Sequence, residues 1–209
     1  LSPGEQKTME LMLYGLLVNS GNDAATAIAE HIDGTKEKFS ERMNNFVQEI
    51  GADQTHFTNP HGLFDEDHYT TALDMAKITR YAMSNPLFRT IVSTKTLPWH
   101  GEEWDSELVN HNKLLWRYEG ATGVKNGYTS ASGNTIAATA ERDGSELIVV
   151  LLQGTSAENI YEDATKLLDY GFQYIKLYPM EPEPEDVPEP ETVAVNAAPY
   201  PTEPAVNLE

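Results

Sequence analysis

Asn134-Thr-Ile-Ala-Ala-Thr-Ala-Glu-Arg-Asp143-Gly144-Ser-Glu-Leu-Ile-Val-Val-Leu-Leu-Gln153 is the stretch that decides the fold class. Its two halves, 134–141 and 146–153, are rich in β-branched and small apolar residues and read as strands. Arg142-Asp143-Gly144 lies between them, and Asp-Gly is a strong hairpin signal because both residues tolerate the left-handed backbone of a tight turn. The second half, ELIVVLLQ, is apolar without a break, which predicts a central strand. Upstream the pattern is helical. Residues 8–18 (TMELMLYGLLV) are apolar nearly all round and predict a buried helix, interrupted by Asn19-Ser20-Gly21-Asn22. A second helix is predicted at 23–32, with Asp23 suited to its first turn. A third, at 36–50, places Phe39, Met43, Phe46, Val47 and Ile50 on one face and is closed by Gly51. Asn59-Pro60-His61-Gly62 is a turn, and Thr71-Ala-Leu-Asp74 has the form of a capping box for a helix that stops before Asn85-Pro86. Residues 87–118 predict loops and short β-prone pieces at Ile91–Thr96, Trp99 and Trp104. Downstream of the hairpin, Thr155-Ser-Ala-Glu158 is a second capping box, and its helix is expected to bury Ile160, Ala164, Leu167, Leu168 and Phe172. Helices, then strands, then a helix describe an α+β fold with an antiparallel sheet flanked by helices, not a βαβ repeat.

The remaining sequence bounds the function. The chain has 209 residues, enough for one domain with a tail, and 40% of them are hydrophobic. It carries 33 acidic and 14 basic residues, a formal net charge of −19, which argues against nucleic-acid backbones and anionic lipid as partners. It has no cysteine, so disulfide scaffolds, thiolate metal sites and a Cys nucleophile are excluded. Residues 181–209 hold eight acids, no Lys or Arg, and seven of the twelve prolines. Alternating Pro and Glu removes backbone donors and self-repels, so 179–209 is expected to be a Pro/Glu-rich acidic tail, disordered or linker-like. Residues 1–178 form the expected domain. The chain begins at Leu1, without Met or a signal-like segment, and reads as a piece of something longer.

Three segments carry the chemistry. The first is Gly15-Leu-Leu-Val-Asn-Ser20-Gly21-Asn22-Asp23-Ala-Ala. The second is Thr58-Asn59-Pro60-His61-Gly62-Leu63, followed by His68-Tyr-Thr-Thr-Ala-Leu-Asp74. The third is Gly123-Val-Lys125-Asn126-Gly127-Tyr128-Thr129. In this order, together with Asp163-Ala-Thr-Lys-Leu-Leu-Asp169-Tyr-Gly171-Phe172, they resemble the D-alanyl-D-alanine carboxypeptidases, the low-molecular-mass penicillin-binding proteins, over about 1–178. The resemblance implies a penicillin-binding, β-lactamase-like fold and a cleft ringed by Ser-x-x-Lys, Ser-x-Asn and Lys-Thr-Gly. In that family the Ser of Ser-x-x-Lys attacks the peptide carbonyl, its Lys accepts the proton, and water hydrolyses the acyl-enzyme after terminal D-Ala has left.

The resemblance assigns roles residue by residue. Ser20 and Asn22 match Ser-x-Asn, so Ser20 would relay a proton towards the leaving group and Asn22 would hold the acyl chain's amide. Lys125, Asn126 and Gly127 match Lys-Thr-Gly except at the middle position. Lys125 would place positive charge near the substrate carboxylate, and Gly127 would let the peptide approach the strand edge. The Tyr128 backbone N–H would be one oxyanion donor. Asn126 is a departure: it donates an amide N–H where the family's Thr donates a hydroxyl to the carboxylate. The larger departure is that no residue upstream of Ser20 forms Ser-x-x-Lys, so the N-terminal part of the fold is expected to be missing. Thr35-Lys-Glu-Lys38 fits the pattern only with a Thr, after Ser20, and reads as a helix start. Asn110-His111-Asn112-Lys113-Leu114-Leu115 resembles a family segment lining the cleft, which makes Asn112 or His111 a candidate substrate contact.

Other residues read as structural. Ser132-Gly133-Asn134 is a second Ser-x-Asn, taken as a loop. His56, His61 and His68 have irregular spacing and no accompanying carboxylate pattern, so no metal site is assigned. Trp99, Trp104 and Trp116 read as packing. A β-lactamase would carry an extra Glu for the deacylating water, and no matching Glu-x-x-Leu-Asn loop is present. The resemblance implies a serine-type carboxypeptidase acting on the peptidoglycan stem peptide, no metal or organic cofactor, β-lactams as inhibitors of the intact enzyme, and an exported protein. A membrane anchor is not supported in this chain. The alternative is a catalytically inactive penicillin-binding fold that binds peptide stems or a protein partner.

Overall fold

The computed structural model describes residues 1–2, 4–101 and 105–178. In chain order the elements are α1 (Met9–Leu17), α2 (Asn22–Asp33), α3 (Lys36–Glu49), α4 (Ala72–Met83), α5 (Pro86–Ser93), β1 (Thr96–His100), β2 (Asp105–Val109), α6 (Leu114–Arg117), β3 (Ala121–Thr129), β4 (Gly133–Arg142), β5 (Ser145–Gly154) and α7 (Ala157–Leu177). β1 and β2 form a two-stranded ribbon, and β3, β4 and β5 form an antiparallel sheet with β4 in the middle. The expected tail, 179–209, and Trp104 lie outside the described residues.

The hairpin forms where Asp143-Gly144 predicts it. Arg142 pairs with Ser145, and the two residues between them take φ of 50° and 77°. The prediction of a central strand for ELIVVLLQ is corrected: among the described residues β5 pairs with β4 alone and is an edge. Its apolar run has a different cause. Leu147, Val149 and Leu151 pack against the cluster that α7 builds with β4, and α4 packs on β5 as well. Cover by two helices makes a strand apolar whatever its pairing. The centre of that cluster is Ile136, Ala138 and Ala140 of β4 against Ile160, Tyr161, Ala164 and Leu168 of α7. Ile136 and Leu168 are at most 1% exposed, and transfer from water alone stabilises each by about 2 kcal/mol.

Helix ends explain two further corrections. Ile91–Ser93 is helical, not β. Pro86 presets the first-turn φ, and Asn85 Oδ1 accepts from the backbone N–H groups of Leu87 and Phe88 at 2.9 and 3.2 Å. This start signal overrides the β propensity of Ile91 and Val92, which α5 buries instead. In α7 the N-cap is Ser156, accepting from Asn159 N–H at 3.1 Å, and not Thr155. Leu167 is 45% exposed, because one residue before Leu168 is about 100° round the helix from the buried Ile160–Ala164–Leu168 stripe. α1 is less enclosed than expected. Met12 and Gly15 are buried, but Leu11, Leu13, Leu16 and Leu17 are only partly so, since its cover comes from two directions: α2, and the Ile91–Trp99–Leu108 cluster.

α5 sets the position of β3. Gly123 lies so close beneath it that a Cβ there would sit 2.8 Å from Val92 Cγ2. Arg89 of α5 reaches the hairpin with two 2.9 Å bonds to the Glu146 carboxylate. Among the described residues no helix is long and apolar enough to cross a membrane.

Candidate active site

Ser20 stands on the short link between α1 and α2. The Gly21 N–H returns to the Gly15 carbonyl at 3.0 Å, and a Cβ on Gly21 would meet Asp23 Oδ1 at 2.9 Å. The link is therefore tight beside Ser20, and Ser20 itself is held at φ 60°. Left-handed backbone is rare for serine and costs on the order of 1 kcal/mol. Asn22 opens α2 two residues later. Both side chains are exposed, and neither forms a hydrogen bond among the described residues.

Lys125, Asn126 and Gly127 lie in the middle of β3, paired with Ala137, Ile136 and Thr135 of β4. On its other side β3 has no strand partner among the described residues. Lys125 Nζ donates to the Asn126 carbonyl at 2.8 Å and has no acidic partner among the described residues. Burial pushes its pKa down to about 8. The Gly127 position is close to Thr135, whose Oγ1 would lie 2.9 Å from a Cβ. The Tyr128 side chain is 69% exposed.

The first and third segments meet through apolar contacts. Leu17, three residues before Ser20, packs against the Met83–Val92–Val124 cluster, and Val124 directly precedes Lys125. Among the described residues no hydrogen bond joins Ser20 or Asn22 to Lys125.

A groove of about 520 Å³ runs past the third segment, between the 109–116 stretch, β3, the start of β4 and the start of α7. Asn126, Gly127, His111, Lys113, Trp116 and Tyr161 all contribute to its walls. The Tyr161 hydroxyl stitches it together: it donates to the His111 carbonyl at 3.0 Å and accepts from the Lys113 N–H at 3.3 Å. Burial is the main cause of a raised Tyr161 pKa. His111 is lowered by burial first and by the nearby Lys125 charge second, which places the two groups in one electrostatic neighbourhood. Asn112 lies behind this wall. It is fully buried, its Oδ1 accepts from the Leu114 N–H at 3.1 Å, and its Nδ2 has no partner among the described residues. The Asn126 Oδ1 is likewise buried without a partner among the described residues. A lone buried acceptor costs about 1–3 kcal/mol.

Sequence reasoning did not find Trp116 or Tyr161 as groove residues. Trp116, expected to pack, is 47% exposed on the wall, whereas Trp99 is buried in the Val18–Ile91–Leu108 cluster. Ser132 lies in the β3–β4 turn, where its N–H donates to Thr129 Oγ1 at 2.9 Å. The three histidines use Nδ1 locally: His56 donates to the Asp67 carbonyl, while His61 and His68 accept from the N–H groups of Leu63 and Thr58. An accepting Nδ1 puts the neutral ring's proton on Nε2, which leaves that nitrogen no lone pair for a metal. Among the described residues no group of three or more His, Asp or Glu is arranged to hold one.

Residues 1–156, which include Ser20-Gly21-Asn22 and Lys125-Asn126-Gly127, match the D-alanyl-D-alanine carboxypeptidase family. The chain belongs to that family. It is 35% identical to the D-alanyl-D-alanine carboxypeptidase DacF of Bacillus subtilis over 182 residues, covering 86% of this chain and 46% of the relative. It is 35% identical to DacD of Escherichia coli over 175 residues, covering 83% of this chain and 44% of the relative. The chain thus spans about half the length of these curated relatives. A solved penicillin-binding protein homologue from Mycobacterium tuberculosis superposes with a TM-score of 0.79 at 34% identity, over 86% of this chain and 69% of that one. A mutant of a Streptomyces DD-transpeptidase superposes with a TM-score of 0.79 at 33% identity, over 83% and 71%. The family's penicillin-binding α+β fold is therefore the fold of this chain.

Proposed function

We propose that this chain is the body of a serine-type D-alanyl-D-alanine carboxypeptidase that trims terminal D-Ala from peptidoglycan stem peptides through an acyl-enzyme. The observation that carries this reading is the anchoring of Ser20-Gly21-Asn22 and Lys125-Asn126-Gly127 on one apolar cluster, through Leu17 and Val124, beside a strand edge. An unpaired edge offers a peptide backbone a row of hydrogen-bonding groups, and Gly127 lets it come close. Lys125 supplies positive charge from a desolvated position, where it acts more strongly on substrate than an exposed lysine would. Ser20 relays a proton towards the leaving D-Ala nitrogen, Asn22 holds the acyl chain's amide, and the Tyr128 N–H polarises the carbonyl oxygen. Asn112 supports the substrate side of the cleft from behind His111.

The 209 residues contain no Ser-x-x-Lys. In this reading the attacking serine and its lysine belong to a longer natural chain, working outside the cytoplasmic membrane, and a β-lactam acylates that same serine. No metal or organic cofactor takes part. The test is D-Ala release by the natural-length protein. Lys125→Ala is expected to remove most of the activity with an unchanged circular dichroism spectrum, and full activity in that variant would show the third motif to be misplaced.

A second reading, a binding fold without turnover, is favoured by one observation: Asn126 where the family has Thr. It predicts stem-peptide binding by the natural-length protein without any D-Ala release.

A further inference from the structure

Among the described residues, no Asp or Glu lines the groove beside Lys125, Asn126 and Gly127, in a chain that has 33 acidic and 14 basic residues. The wall carries Lys113 and His111 instead, and Lys125 lies close enough to His111 to act on its charge. Positive and neutral groups gathered in an otherwise acidic protein favour an anion as the ligand.

His111 is presented to this groove from a fixed support. Both its neighbours in the chain are buried asparagines. Asn110 Nδ2 donates to the carbonyls of Val92 and Thr94 at 3.2 and 2.9 Å, and its Oδ1 accepts from the Asn112 N–H at 2.9 Å. Asn112 Oδ1 in turn accepts from the Leu114 N–H, and the Tyr161 hydroxyl of α7 holds the His111 carbonyl. The His111 ring itself is exposed and makes no hydrogen bond among the described residues. A pinned backbone under a free ring lowers the entropy cost of holding a ligand with that ring.

The other charges around the groove are nearly constant with pH near neutrality. Lys125 is desolvated, with Nζ turned to the Asn126 carbonyl at 2.8 Å. Its pKa of about 8 keeps it mostly charged from pH 7.5 downward, so its pull on an anion changes little there. Lys113 is exposed and screened by water and salt. β4 gives the wall only Asn134 and Thr135. On α7, Tyr161 is neutral, its pKa raised by burial, and Glu158 is paired with Arg117 at 2.8 Å. His111 is the group whose charge changes. Burial and then the Lys125 charge hold it below the ordinary 6.5, so it is neutral above that value and gains its proton below it. A bound carboxylate offsets the Lys125 repulsion and draws the proton back.

We propose that His111 is a proton-gated anchor for the terminal carboxylate of the stem peptide: the protonated ring, together with Lys125, completes the charge that holds the anion, and the neutral ring releases it. The inference rests on the carboxypeptidase-type reading above and adds the regulation of that site by pH.

The test uses two probes, an N-acylated peptide ending in D-Ala-D-Ala and the same peptide with its terminal carboxylate converted to a carboxamide. Each is titrated into the 209-residue chain at about pH 5 and about pH 7.5, a range over which the peptide carboxylate stays ionised. Nuclear magnetic resonance follows the His111 ring Hε1 and the Gly127 N–H. The free acid is expected to bind about tenfold more tightly at the lower pH, the worth of one charge-assisted hydrogen bond, and the carboxamide equally at both. By linkage, saturating free acid should raise the His111 pKa by about one unit, a measurement that needs no variant. His111→Gln should flatten the pH profile at the weaker affinity, and His111→Arg should flatten it at the tighter one. A free-acid affinity that does not change with pH, an unchanged pH profile in His111→Gln, or a His111 pKa that the free acid leaves in place overturns the inference and leaves the carboxypeptidase reading standing. No response of these signals to either peptide at either pH overturns both.

Discussion

Ser20 and Lys125 both sit where the fold would be more stable with something else. Ser20 occupies φ 60°, a conformation glycine adopts freely. Ser20→Gly is therefore expected to raise unfolding free energy by about 0.5–1 kcal/mol while weakening stem-peptide binding, and a urea titration of the two proteins checks this. A loss of stability would mean that the serine is not strained. Lys125 is held at about 8, below the ordinary value of 10.5, by burial. The folded chain thus holds this proton less tightly than the unfolded chain does. Below pH 8 the full cost of burying the charge is present, and between about 8 and 10.5 the destabilisation fades as pH rises, because unfolding then takes up a proton. Lys125→Met is expected to stabilise the fold at pH 7 by about 2 kcal/mol and to flatten the pH dependence of stability across that window. The same variant should lose stem-peptide binding. Such opposition between stability and function marks a site that selection has kept at a cost to the fold. At this scale the sequence shows the residue types and their order, but not the positive φ of Ser20 or the burial of Lys125, since both depend on neighbours distant in the chain.

The contact between α5 and β3 shows what single elements contribute. Gly123 leaves room for Val92 and for nothing larger. Gly123→Ala is expected to destabilise by about 2 kcal/mol, more than a strand Gly→Ala change at an open position, and Val92→Ala should recover part of the loss. A double-mutant cycle on thermal unfolding measures this, and strictly additive effects would contradict the contact. Asn85→Ala should cost about 1 kcal/mol through loss of the α5 cap. The elements differ in how legible they were. The β4–β5 hairpin was readable because Asp143-Gly144 is a local signal that tertiary contacts do not reverse. Ile91–Ser93 was not, because its β-branched composition competes with a start signal five residues upstream, and packing on β3 decides. β5 was read as a strand correctly and placed wrongly, because apolar periodicity reports which faces are covered and says nothing about which strands pair.

The whole molecule brings together segments that no local pattern connects. The groove joins the 109–116 stretch, β3, β4 and α7, and the Tyr161 hydroxyl ties α7 to the 109–116 stretch through the His111 carbonyl and the Lys113 N–H. Family motifs pointed to Lys125, Asn126 and Gly127, but the exposure of Trp116 and the burial of Asn112 follow from packing and were not readable in advance. All the named elements lie within 9–177. A chain ending at residue 178 is therefore expected to keep the same thermal midpoint and peptide affinity as the 209-residue chain, although it sheds eight acidic residues. A lower midpoint would show that 179–209 contributes to the fold.

The central claim is that these residues are the body of an acylating enzyme. Its most direct test is the intact mass of the protein purified from its natural source, before and after incubation with a β-lactam. The account predicts a mass larger than that of the 209 residues and a single covalent adduct on a serine of a Ser-x-x-Lys motif. A mass equal to that of the 209 residues, with no adduct, would contradict it and leave the non-catalytic binding fold as the better description.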